Sequence, residues 1–212
     1  MAVLLSSYTY SQVGINTLTP KAALHIDGSL QMTTELRVGG TSTTQGNPGI
    51  AGELLTSQGA GLPPKWSTAG DVAIPQVVAM ANRTTSTTYA ANSVSDVIFS
   101  EFPKIDTAYL TYNVATGKYT VVKAGYYLLT GYLEFVITTN PSDGTAVTTL
   151  YLNGSTRIAA SSSGHPVSAN IIEHSLSGLS FLNVGDVINV TGFFTRSYAM
   201  RNSSISFMYL GN

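Results

Sequence analysis

The chain has 212 residues and a formal net charge of −1, and only 10% of its residues are charged, against about 25% in average soluble domains. Its lysines and arginines are scattered singly, so the sequence lacks the basic patch that nucleic acid or an anionic membrane requires. The absence of cysteine excludes thiol catalysis, cysteine-ligated zinc and disulfides. No run of about 18 apolar residues occurs, so we predict no membrane span. The many hydroxyl, amide and glycine residues are typical of an extracellular β-protein or fibre.

Residues 1–12 contain an Ala-Val-Leu-Leu run followed by small polar residues. This resembles the end of a secretion signal, although it lacks a positively charged start and its apolar core is short. Two interpretations stay open: the remnant of a longer signal, or an N-terminal anchor that docks into a larger assembly. In the second interpretation, the contact with that assembly extends over residues 1–40.

Residues 13–73 are predicted to form a neck. Short apolar runs near 23–26, 29–33 and 35–38 are each closed by glycine or proline, which predicts short strands. Strands of this length are not stable in isolation. Three intertwined copies would bury a shared set of side chains: Leu24, Ile26, Leu30, Met32, Leu36 and Val38.

The second half of the neck, residues 41–70, is rich in Gly, Ser, Thr and Pro, and a flexible linker is one interpretation. However, it contains the chain's single tryptophan, Trp66, together with Leu54, Leu55 and Leu62. A linker has no use for a buried indole. We therefore predict a structured neck in which these four residues pack together.

Two motifs of the neck carry a resemblance. A Gly-Ile-Asn-Thr run at 14–17 is followed by a proline, and a Gly-x-x-Leu-x-Ser-x-Gly run at 52–59 is followed by Pro64 and Trp66. Both are similar to neck segments of phage fibres and of secreted, adhesin-like proteins of the Bacteroidetes.

Residues 74–212 are predicted to form an all-β head, a jelly-roll β-sandwich with almost no helix. Apolar runs recur at regular spacing between Gly, Asn, Asp and Pro clusters. The predicted strands are 76–80, 96–100, 119–122, 126–136, 147–152, 157–160, 170–182, 187–194 and 204–210.

The predicted strand 126–136 is apolar on both faces, whereas a half-solvated strand alternates apolar with polar residues. One face carries Tyr127, Leu129, Leu133 and Phe135, and the other carries Tyr126, Leu128, Tyr132 and Val136. One face suits the domain core, and the other needs a second sheet or a partner subunit. We predict Tyr126, Leu128 and Tyr132 as a trimer interface.

The same region resembles the globular heads of the complement one-q and tumour necrosis factor group. The signature positions are Tyr119, Gly125, Tyr127 and Leu129, preceded by the turn at 113–117. The similarity extends over residues 74–212, including 149–154, the hairpin at 182–190 and the closing strand 204–210. It implies a jelly-roll head and a homotrimer.

No catalytic motif occurs, and the histidines His25, His165 and His174 are isolated along the sequence. We predict a non-enzyme without cofactor or metal, in which His174 is buried and hydrogen-bonded. A glycan-cleaving enzyme would need two carboxylates about 5–10 Å apart, and the sequence offers no pair. A calcium ion held by Glu134 and Asp143 is a minor alternative, because calcium wants several converging oxygens.

The predicted loops 138–145 and 160–168 are rich in hydroxyl and amide residues, and Arg196, Tyr198 and Arg201 follow in a third segment. Together with His165, these three residues form a candidate receptor-binding surface for glycan or protein. The sequence thus predicts a non-catalytic, extracellular homotrimeric fibre or spike, on a virion or on a bacterial surface. The alternative is a free, secreted lectin-like module.

Overall fold

The computed structural model describes residues 12–72, 74–139 and 142–211, and every regular element in these ranges is a β-strand. No helix that could span a membrane occurs in the described part of the chain. The strands are β1 (Val13–Ile15), β2 (Leu24–Ile26), β3 (Leu54–Thr56), β4 (Lys65–Ser67), β5 (Gln76–Arg83), β6 (Thr87–Tyr89), β7 (Ser93–Asp96), β8 (Glu101–Ile105), β9 (Leu110–Asn113), β10 (Lys118–Val121), β11 (Gly125–Ile137), β12 (Gly144–Leu152), β13 (Thr156–His165), β14 (Ile171–Leu182), β15 (Val187–Phe194) and β16 (Tyr198–Gly211).

The chain divides into two compact units, and the smaller one comprises residues 12–51 with 57–66. In it, β1 and β2 pair in parallel. The strands predicted at 29–33 and 35–38 are wrong, since only an isolated bridge from Val38 to Asn47 forms there. Among the described residues, no segment pairs with the run at 29–33, and its Leu30 and Met32 are exposed.

Trp66 packs on backbone in place of leucine side chains. Its indole N–H donates to the Asn47 carbonyl at 3.0 Å, and its ring lies so close to Gly49 that a Cβ there would sit 2.7 Å from it. These contacts fix the position of the indole ring, as expected of a structured segment. Leu54, Leu55 and Leu62 are exposed in the single chain, and their packing with Trp66 stays a prediction.

The larger unit, residues 52–56 with 67–211, is a sandwich of two antiparallel sheets. Sheet I has the order β14-β11-β16-β5-β8, and sheet II has the order β13-β12-β15-β10-β9; β6 pairs with β16 and β7 with β15. From β13 onward each successive strand lies in the opposite sheet. This alternation is the jelly-roll arrangement, and the predicted all-β fold class is confirmed.

The core lies between the two sheets and is rich in aromatic rings. Tyr127, Leu129, Leu133 and Phe135 of β11 are fully buried in it, as predicted for one face of this strand. Rings from both sheets meet there: Tyr119 of sheet II lies 4.6 Å from Phe207 of sheet I. One continuous core therefore joins the two layers.

Most predicted strands of the head form, and β15 has the predicted bounds. The strand predicted at 96–100 is wrong: β7 ends at Asp96, and β8 begins at Glu101. Val97 and Phe99 are buried in this gap. Their backbone N–H groups are satisfied there because they donate to the Val190 carbonyl and the Tyr112 hydroxyl. The predicted loops 138–145 and 160–168 are also wrong in part, since β12 begins at Gly144 and β13 continues to His165.

Candidate functional site

The candidate site is the outer face of sheet I, the side that points away from the core. The register of β11 with β14 and β16 arranges this face in rows across the strands. The rows at one end are apolar: Tyr126 lies opposite Phe181, and Leu128 lies between Leu179 and Met208. Tyr126 is 48% exposed, Leu179 60% and Phe181 43%. This end is an apolar patch on the surface of a single chain.

The patch is built by the alternation of β-strands, whose successive side chains point to opposite faces. In β14, residues 172, 174 and 176 point into the core, while 171, 173, 175, 177, 179 and 181 point outward. The rings of Tyr126 and Phe181 meet edge to face at 5.1 Å across the two strands. The sequence prediction found the β11 residues and missed Leu179, Phe181 and Met208, although the same period-2 pattern in β14 and β16 was the signal for them.

The middle rows of this face are hydroxyl-rich. Thr130 and Ser206 share a hydrogen bond of 2.7 Å across β11 and β16. A shallow depression of about 400 Å³ lies here, and its lining includes Tyr132, Ser175 and Ser204. Tyr132, a predicted interface residue, is half-buried in this zone. The hydroxyl-rich rows therefore interrupt the apolar outer face, a division that the sequence did not reveal; a further apolar pair, Val136 and the 50% exposed Ile171, lies at the other end of it.

Charges occupy the next row, where Glu134 lies opposite Glu173 on one side and Arg201 on the other. The Arg201 guanidinium binds the Glu134 carboxylate, and the Tyr132 hydroxyl donates to Glu173 at 2.7 Å. This hydrogen bond to an acceptor carboxylate raises the pKa of Tyr132 to about 12. Two carboxylates are thus cross-strand neighbours, a pairing invisible in the sequence because the residues are far apart along the chain.

The predicted receptor-binding surface does not form as expected. Tyr198 is fully buried, with its ring 5.3 Å from that of Tyr89 and its hydroxyl donating to the Gly192 carbonyl at 3.0 Å. Arg196 is 2% exposed and donates to the Ser142 carbonyl at 3.1 Å. The prediction that these two side chains contact a receptor is therefore wrong. Arg201 and His165 remain partly exposed, on the outer face of sheet I and at one end of the sandwich respectively.

His165 lines a second depression, of about 640 Å³, at the end of the sandwich. Thr145, Thr195 and Asp143 are among the other residues that line it. Arg196 lies behind it, with its guanidinium 4.9 Å from the centre of the Phe194 ring. The buried arginine also donates to the carbonyl of Pro166, one of the residues that line the depression.

The structure joins two histidines that are isolated in the sequence. The Ser163 hydroxyl lies 2.5 Å from Nε2 of His165 and 2.6 Å from Nε2 of His174, and Thr148 lies 3.0 Å from Nδ1 of His174. His174 is 3% exposed, so its predicted burial and hydrogen bonding are confirmed. Burial lowers the pKa of both histidines, helped by the positive charge of Arg196 at His165 and by His165 at His174.

We expect the head to lose stability as the pH falls from about 6.5 towards 5. The folded-state pKa of each histidine lies below its ordinary value of 6.5, so the unfolded chain binds protons first and acidification favours it. The melting temperature should be constant above pH 7 and fall below pH 6.5. The shift of Asp186, whose pKa lies below 3.8 mainly because Asn153 donates to it, acts only at lower pH.

The matched variant for this experiment is His174→Asn, which cannot titrate in this range. It is expected to be less stable at neutral pH but to show a weaker pH dependence between 6.5 and 5. Equal slopes for the variant and the parent protein would contradict this origin of the pH dependence.

Glu134 and Asp143, the minor calcium alternative, do not converge. Glu134 is bound by Arg201, with Asn202 at 3.3 Å, while Asp143 accepts the backbone N–H of Val167 at 2.7 Å. Within residues 12–72, 74–139 and 142–211, no group of three acidic, histidine or cysteine side chains is placed to hold a metal ion. This alternative is therefore set aside.

No protein-family model and no curated protein matches the chain. Among solved structures, the crystal structure of murine APRIL at pH 5.0 is similar, with a TM-score of 0.47 and 17% identity, over 63% of this chain and 98% of that one. The structure of Eiger TNF from S. frugiperda has a TM-score of 0.44 and 15% identity, over 63% of this chain and 92% of that one. The assignment of the sandwich rests on the strand order and register given above.

Proposed function

We propose that the chain is a non-catalytic homotrimeric fibre or spike protein, with its N-terminal residues attached to a larger assembly and its head presented for attachment to a receptor. The observation that carries the proposal is the apolar end of the outer face of sheet I. Tyr126, Leu179 and Phe181 form a contiguous group of exposed apolar side chains, and such a group marks a candidate interaction surface. A second and a third copy of the chain would cover them.

The smaller unit supports the same proposal. Its large apolar side chains are exposed in a single chain: Val13, Ile15, Leu18, Leu24, Leu30, Met32, Leu36, Ile50 and Leu62. A segment with so little buried apolar surface gains little free energy from folding alone. Intertwining of three copies would bury these side chains, as the sequence analysis expected of the neck.

Light scattering on the intact chain tests the proposal. A homotrimer has three times the mass of the 22.3 kDa chain, and that value is expected at micromolar concentration. A stable monomer of 22.3 kDa would refute the proposal.

We propose an extracellular location, on a virion or on a bacterial surface. Immunogold electron microscopy on the native source separates the two. Gold on phage-like particles would make residues 1–12 a docking segment, whereas gold on the cell envelope would make them a signal remnant. Exclusively intracellular labelling away from particles would contradict both settings.

The depression around His165 favours a second candidate function, a lectin-like module. Thr145, Thr195 and Asp143 offer the mixture of hydroxyl and carboxylate groups that hydrogen-bonds sugars, at a volume of about 640 Å³ that suits a small ligand. Glycan-array binding by the intact chain, and its loss in His165→Ala, would favour this function. Retained binding in His165→Ala would exclude this depression as the site.

A further inference from the structure

The charged row on the outer face of sheet I leaves two of its groups incompletely bound within one chain. It holds two carboxylates, Glu134 and Glu173, against one guanidinium, Arg201. Arg201 uses its Nε atom for Glu134, and among the described residues its two terminal nitrogens have no protein partner. Glu173 is exposed and receives only the Tyr132 hydroxyl in the same part of the chain. One donor group and one acceptor group of opposite charge are thus left over.

These leftover groups lie on different strands of one row. Glu173 is on β14, the edge strand of sheet I, and Arg201 is on β16, two strands further in. Adjacent strands are about 4.8 Å apart, so the two backbones lie roughly 10 Å from each other. The Glu134 side chain stands between them, and Arg201 binds it. The geometry of one chain therefore separates a pair that charge would bring together.

A ring of three copies brings such a pair together. Copies related by rotation alone have no displacement along the axis, so a residue meets residues of the next copy at its own height. In a ring whose strands run along the axis and in which the edge strand β14 of one copy packs on the outer face of the next, the rows of the two copies lie at the same height. The apolar rows then meet apolar rows, and the charged row meets the charged row.

We propose that Glu173 of one copy accepts hydrogen bonds from the terminal nitrogens of Arg201 in the next copy, so that each Arg201 binds its own Glu134 and a neighbouring Glu173. This inference rests on the proposed homotrimer and specifies its interface. Three such contacts leave each charged row with its arginine bound on two sides. The contact fixes the register between copies, whereas the apolar rows do not fix it because apolar contacts have no directional preference.

Disulfide trapping tests the contact directly, because the natural chain has no cysteine. In Glu173→Cys/Arg201→Cys, the two positions of one chain are too far apart for a disulfide, which needs Cα atoms within about 7 Å. Mild oxidation is therefore expected to link different copies into a closed covalent trimer on non-reducing denaturing gels. Each single-cysteine variant can form dimers at most.

The outcomes separate the contact from the trimer. A double-cysteine variant that is trimeric by light scattering but stays uncrosslinked, together with equal trimer dissociation of Glu173→Gln and its control, overturns the contact and leaves the proposed function intact. A parent protein that is monomeric overturns both. Arg201→Cys also removes the guanidinium that binds Glu134, a carboxylate that is only 8% exposed. An unpaired buried charge is destabilising, so a second variant is needed in case the double variant fails to fold.

That variant is Glu173→Gln, with Glu101→Gln as its control. Glu101 is an exposed carboxylate on β8 of the same sheet and accepts the Thr84 hydroxyl at 2.8 Å, much as Glu173 accepts that of Tyr132. Glu173→Gln is expected to raise the concentration at which trimers dissociate about tenfold and to weaken its salt dependence, as expected when charge pairs are removed. Equal dissociation of the two variants would contradict the contact.

Discussion

Replacing Leu179 with aspartate is expected to convert the trimer into folded monomers. Leu179 is 60% exposed on β14 and lies beside Leu128 in an apolar row that neighbouring copies would cover. Three unpaired carboxylates would then be buried in one interface, at a cost of several kcal/mol for each. In the separated subunit the same side chain faces water, so the fold itself is expected to persist.

The measurement combines light scattering for mass with circular dichroism for the β-fold. Val94→Asp is the matched control: Val94 is 68% exposed on β7, which pairs with sheet II, and its replacement is expected to leave the trimer intact. A trimeric Leu179→Asp protein would show that the outer face of sheet I is not the interface. Loss of β-structure would show that Leu179 supports the subunit fold.

The apolar patch on the outer face of sheet I shows how far the sequence could predict the site. The two apolar faces of β11 were visible as alternation within one strand, and they indicated a partner surface. The neighbours of Tyr126 depend on register, which joins it to Phe181, 55 residues further along the chain. Register between distant strands is a tertiary property, so the sequence showed one strand of the patch and not the patch itself.

The sequence contains a signal for the burial of Arg196 and Tyr198, but the charged residues of this segment obscured it. Phe194, Arg196 and Tyr198 follow one another at period 2, and all three are buried. Tyr198 between the two arginines Arg196 and Arg201 suggested an exposed binding segment. In the fold, the Arg196 guanidinium instead satisfies loop carbonyls, those of Ser142 and Pro166, from inside. The alternation of Arg196 with aromatic residues was therefore a better indicator of its burial than its charge.

The gap between β7 and β8 marks a different limit. Val97 and Phe99 alternate as strand residues do, yet the Phe99 N–H binds the Tyr112 side-chain hydroxyl at 2.8 Å and no neighbouring strand. That acceptor comes from β9, a strand that the sequence analysis did not predict. When a side-chain hydroxyl takes the place of a neighbouring strand as the hydrogen-bond acceptor, the sequence around Phe99 shows no sign of it. In contrast, the turn at Gly185, followed by Asp186, marked the start of β15 correctly.

Gly125→Ala is expected to be the most destabilising single-methyl change in the head. A Cβ at this position would lie 2.5 Å from the Tyr209 ring and 2.6 Å from the Gly211 carbonyl oxygen, and the φ angle of 148° favours glycine. The ring cannot retreat, since Tyr209 is fully buried and lies 5.2 Å from the ring of Tyr127. The expected loss is about 3 kcal/mol, the range of a severe overpacking change.

Gly185→Ala separates the clash from backbone strain. Gly185 also has a positive φ, 89°, but nothing lies within 4 Å of a Cβ there, so only the strain of roughly 1–2 kcal/mol is expected. Thermal unfolding of both variants at equal chain concentration measures the difference, because the melting temperature of an oligomer depends on concentration. Gly125→Ala should melt several degrees below Gly185→Ala, and equal melting temperatures would mean that the strand absorbs the methyl group. The close approach of β16 to the start of β11 is thus the physical reason for a glycine at position 125. The sequence motif includes this glycine but does not show the reason for it.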